Sequence, residues 1–156
     1  MSAHLHWDVP ESARASVAAL TDEHVRRAVE EALTVGERPT LEVSVVFVSD
    51  DALTALHGRF LDDPTPTDVI TFDLEGDDEG GPGGELYVSV DAAHRCAPEH
   101  DWPVENELLL YVVHGTLHLC GFDDHDEEDR KAMRRAEARV FGRLGVSIDV
   151  TRHERQ

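Results

Sequence analysis

His114, His118, Asp124 and His125 bring four metal-ligand side chains into twelve residues. On an α-helix, histidines four apart lie on one face about one turn from each other, the separation at which two imidazoles can hold a single ion. Gly121 follows and can turn the chain back, so that a residue a few places on supplies a third ligand and leaves a position for water. Sites of that open kind are catalytic, whereas a structural zinc site is closed by four protein ligands. A His-x3-His pair on a solvated helix is a weak signal by itself. Here it interrupts an apolar run, where two imidazoles without partners would be costly to bury.

The third ligand is either Asp124 or His125. Zinc sites of the form His-x3-His-x5-ligand place the third group ten residues after the first, which is Asp124. Imidazole is the commoner zinc ligand, which speaks for His125, but spacing favours Asp124. The expected cofactor is one Zn2+ per chain. In metalloproteases with this spacing, the residue after the first His is the Glu that activates water. Here it is Gly115. A cation without a helix-borne Glu can still promote phosphodiester hydrolysis, whose transition state is negatively charged.

The elements that must position these groups are legible from periodicity. Residues 105–113 form an apolar run expected to be a largely buried helix. Pro103 suits its first turn, Glu105 and Glu107 favour its positive end, and Gly121 marks its stop. Residues 4–7 form a short strand. Residues 11–35 are helical with a break near Thr21 and Asp22, and Gly36 ends them. Residues 41–48 alternate and then become wholly apolar, as a strand entering a core does. Ser49 and Asp50 cap a helix to residue 60, Pro64 and Pro66 make a rigid turn, and strands span 68–73 and 85–90 around an acidic glycine-rich loop at 75–84. Helices at 91–100 and 127–144 complete a single α+β domain over residues 1–156. It is a mixed sheet of about four strands covered by helices, with the metal site at the C-terminal end of a buried helix.

His-Gly-Thr-Leu-His-Leu-Cys-Gly-Phe-Asp-Asp, from His114 to Asp124, resembles the signature of the YbeY family of metal-dependent endoribonucleases. Thr67-Asp68-Val69-Ile70-Thr71-Phe72 and Gly84-Glu85-Leu86-Tyr87-Val88-Ser89 resemble two further blocks of that family, and the resemblance spans about residues 40 to 140. It implies single-strand-specific cleavage of RNA in ribosomal RNA maturation and ribosome quality control, with ribosomal RNA precursors and ribosomal subunit proteins as partners. It implies metal ligation and catalysis by His114, and places Thr67 and Asp68 along the substrate cleft. There are two departures. The family's third His falls, without a gap, on Asp124, with His125 one place later. The family's arginine after an aromatic residue is replaced by Leu61 after Phe60, which leaves Arg59 as the nearest phosphate contact. A capping role for Thr67 and Asp68 and a solvated role for Arg59 are the plain alternatives.

Composition pulls the other way. The formal net charge is −19, with one lysine, Lys131, among 14 basic residues. Enzymes of nucleic acids usually carry basic surfaces. Either the chain binds no nucleic acid, or an acidic surface suited to a saline cytoplasm carries a local patch of Arg130, Arg134, Arg135 and Arg139; the plain reading of those arginines is pairing with Glu127, Glu128 and Glu137 along a solvated helix. Two other functions compete accordingly: a ribosome-associated assembly module with a structural metal, and a metal-dependent hydrolase of small substrates. No apolar run has transmembrane length and no signal-type amino terminus is present, so no membrane partner and a cytoplasmic location are expected. Two cysteines do not make a disulfide framework, and Cys120, two residues after His118, should point away from the ligand face as a packed thiol.

Overall fold

Alternating side chains decide which face of each strand meets the helices. The computed structural model describes residues 3–61, 69–74, 83–123 and 125–150. Among them the elements run β1 (Ala3–Trp7), α1 (Glu11–Ala15), α2 (Asp22–Val35), β2 (Val43–Val48), α3 (Asp50–Leu61), β3 (Val69–Asp73), β4 (Gly84–Ser89), α4 (Val90–His100), α5 (Val104–Leu119) and α6 (Glu127–Leu144). One mixed sheet has the order β1-β2-β4-β3; β1, β2 and β4 are parallel, and β3 runs antiparallel to β4 along the edge. This is the expected single α+β domain with a four-stranded mixed sheet.

Register aligns Val43, Val45 and Phe47 of β2 with Gly84, Leu86 and Val88 of β4. These residues form one buried face that packs with α2, α4, α5 and α6 in the main core. The opposite face carries a smaller cluster of Val48, Leu53 and Ile70, with Val46, Leu56, Phe72 and Tyr87 around it, so α3 covers that side. α5 is the central helix. Twelve of its sixteen residues are buried, including Leu108, Leu110, Val112, Val113 and Leu117, and each such side chain contributes about 1.5–3 kcal/mol through burial. A helix held on so many sides is a rigid mount for whatever its last two turns present.

Several boundaries follow from local chemistry. Thr21 caps α2 in a capping box with His24, and the Ser49 hydroxyl accepts the Ala52 N–H at the start of α3. Asp126 accepts the Asp129 N–H at the start of α6, which ends in a left-handed Gly145. The expected helix over 11–35 stops earlier than its pattern suggests: residues 16–20 form turns. The Arg14 guanidinium there takes the carbonyl oxygens of Val17 and Leu20 and lies 4.0 Å over the Trp7 ring, offering the backbone partners that a continued helix would otherwise supply. The Pro64–Pro66 turn and most of the acidic loop, residues 75–82, lie outside the described residues.

Candidate metal centre

α5 delivers His114 and His118 on successive turns, as their spacing requires. Their Nε2 atoms converge to 3.1 Å, and the rings stand 80° apart in plane with centroids 4.6 Å apart. Two nitrogens at about 2.0–2.1 Å from one tetrahedral ion would lie roughly 3.3 Å from each other, so this pair fits a shared ion with little movement. His114 is 7% exposed, and its other nitrogen, Nδ1, is 2.6 Å from Oε2 of Glu137 on α6. Glu137 is wholly buried, and its Oε1 lies 2.9 Å from Nη1 of Arg134.

The chain then turns as expected. Cys120 closes α5, Gly121 adopts φ 101°, and the Phe122 N–H returns to the Leu117 carbonyl. His125 beyond the turn is 80% exposed at its side chain and pairs with Asp123 at 3.1 Å rather than with the two histidines. Among the described residues no third His, Cys, Asp or Glu joins His114 and His118. Asp124, Thr67 and Asp68 lie outside the described residues, as does the side chain of Arg59, whose backbone falls in the last turns of α3.

Gly115 has a steric reason. A Cβ there would lie 2.9 Å from Leu86 Cδ2, 3.2 Å from Val69 Cγ2 and 3.3 Å from Thr71 Cγ2. α5 therefore sits close enough to β3 and β4 that a side chain at the position of the protease Glu would have to push aside the methyl groups of Leu86, Val69 and Thr71. Cys120 behaves as a packed thiol: its Sγ and Cβ occupy the space a Cβ on Gly36 would need. Burial pushes its thiol up to about 11 against the lowering pull of Arg38, so the free thiol stays protonated at neutral pH.

One sequence expectation needs correction. Arg134 is not part of a surface patch with Arg130, Arg135 and Arg139, which are exposed; it is 8% exposed, paired with Glu137, with Nη2 3.3 Å from His114 Nδ1. Its turn of α6 faces α5 because Met133, Ala136, Val140 and Phe141 drive that stripe into the core. The sequence by itself offers Glu137 only as a pairing partner along a solvated helix. The signal that could have singled it out is a carboxylate lying within the apolar stripe.

A family model described as Endoribonuclease YbeY matches residues 11–145. Endoribonuclease YbeY of Pelotomaculum thermopropionicum is 38% identical over 138 residues, covering 83% of this chain and 89% of that protein. The protein of the same name from Desulfitobacterium hafniense is 30% identical over 154 residues, 91% of this chain and 96% of its own length. The solution structure of TM1509 from Thermotoga maritima superposes with a TM-score of 0.56 at 28% identity, covering 91% of this chain and 92% of that one.

Proposed function

This chain belongs to the YbeY endoribonuclease family, and from that premise we propose that it is a zinc-dependent endoribonuclease acting on single-stranded RNA in ribosomal RNA maturation and ribosome quality control. The observation that carries the metal part of the reading is the convergence of the His114 and His118 Nε2 atoms at 3.1 Å on a buried helix. In this reading the two histidines hold the ion through Nε2, with Asp124 as third ligand and His125 as its alternative. When bound, such an ion supplies positive charge against the transition state of phosphodiester cleavage and a means of activating water at neutral pH. Gly115 stands where the metalloprotease motif carries its base. Arg59 is assigned a phosphate contact, and Thr67 and Asp68 a place along the substrate cleft.

The reading is tested on labelled single-stranded RNA with zinc-loaded protein, a peptide and a small phosphodiester serving as controls. Cutting of RNA alone, abolished by chelation and restored by zinc, is the expected result. The net charge of −19 favours two competitors. RNA left intact by fully loaded protein would support the assembly module, and cleavage confined to the small phosphodiester would support the small-substrate hydrolase.

The third ligand is separable by affinity. Loss of a ligand should exceed the roughly 10–100-fold cost of losing an outer contact to a ligand. Asp124→Ala is therefore expected to weaken zinc binding by at least about 100-fold, measured by chelator competition, while His125→Ala leaves it nearly unchanged. The reverse order would mean a one-residue insertion after Asp123 that brings His125 to the ion.

A further inference from the structure

Glu137 sits where a carboxylate is expensive. It lies wholly buried on the stripe of α6 that also buries Met133, Ala136, Val140 and Phe141, and a buried charge costs several kcal/mol unless it is paired and hydrogen-bonded. Oε2 is hydrogen-bonded to His114 Nδ1 at 2.6 Å, whereas Oε1 is paired in charge with Arg134 Nη1 at 2.9 Å without hydrogen-bond geometry. A carboxylate facing a guanidinium is an acceptor only. At 2.6 Å the His114 nitrogen must then be the donor, because two acceptors cannot approach that closely. Arg134 Nη2, 3.3 Å from the same nitrogen, is a charge neighbour and not its donor. A neutral imidazole with its hydrogen on Nδ1 carries its lone pair on Nε2, the atom directed at His118.

We propose that Glu137 is a positioning residue for the ion: it fixes the ring orientation of His114 and keeps the Nε2 lone pair turned toward His118, while Arg134 holds the carboxylate in place. This rests on the zinc reading above. Neither residue needs to touch the ion or the substrate. The α5 to α6 packing thereby sets the direction of one metal ligand from 23 positions away in the chain, as outer carboxylates do for metal-bound histidines generally.

Two measurements separate this role from plain core packing. The first is zinc affinity of folded Glu137→Gln by competition with a chromophoric chelator, expected to fall about 10- to 100-fold, with Glu137→Asp as the variant to use if the amide does not fold. The second is a long-range 1H–15N spectrum of the zinc-free wild type, expected to show His114 with its hydrogen on Nδ1. Wild type that binds zinc beside an equally tight, folded variant would overturn the proposal alone, as would a zinc-free spectrum with the His114 hydrogen on Nε2. Wild type that takes up no zinc would overturn the metal reading and this proposal with it.

Discussion

His114→Ala and His118→Ala are each expected to strip the protein of most of its metal, from about one zinc per chain to a small fraction, because the one imidazole and third ligand that remain hold a divalent ion far more weakly than the three-ligand set. RNA cleavage should fall with it by about 10³-fold or more, since a catalytic ion contributes several kcal/mol to the transition state and each 1.36 kcal/mol is tenfold in rate. The two variants should differ in stability. His114→Ala removes the partner of the buried Glu137 Oε2, which costs about 1.5–3 kcal/mol on top of the lost metal, so its melting temperature should be compared in the zinc-free state. Elemental analysis of purified protein reads the metal directly. Full content in both variants would end the zinc reading, and cutting that survives His114→Ala would identify a contaminant.

Salt should act on this enzyme in the opposite sense from most nucleases. A protein with net charge −19 repels a polyanion over the range set by the Debye length, about 10 Å at 0.1 M salt and 3 Å at 1 M. Added salt shortens that range and so removes an obstacle to encounter. A basic nuclease with six to ten phosphate contacts loses roughly 10³–10⁵ in affinity between 50 and 200 mM salt. Here cleavage is expected to persist or rise across the same interval. A steep fall would mean that a local basic surface dominates binding. Arg130, Arg135 and Arg139 are the exposed arginines of α6 to replace first, Arg134 being buried.

Periodicity placed the helices well because their signals are local. The last helix, expected over 127–144, has those bounds, with Asp126 as its cap and Gly145 as its stop, and the four-residue spacing of His114 and His118 sufficed to put both rings on one face. The ends of β2 and β4 moved by one or two residues, as strand ends are set by partners across the sheet rather than by their own composition. Residues 16–20 depart from the helical pattern where the Arg14 guanidinium donates to the Val17 and Leu20 carbonyls, a side-chain effect that helix propensity does not contain. The environment of His114 is not legible from spacing. Its carboxylate partner comes from another helix, and Arg134 and Glu137, three apart, look in one dimension like any solvated ion pair.

The close approach of α5 to the sheet bears on how this scaffold could be re-engineered. A designer wishing to graft peptide-bond hydrolysis onto the two-histidine frame would begin by writing Glu at position 115, following the motif. The obstacle is side-chain crowding: methyl groups of Leu86, Val69 and Thr71 already lie 2.9–3.3 Å from where the new Cβ would sit. Fitting a longer side chain would require those methyl groups to give way, Leu86 Cδ2 at 2.9 Å most of all. What that one position can carry thus depends on how far the side chains between helix and sheet can repack.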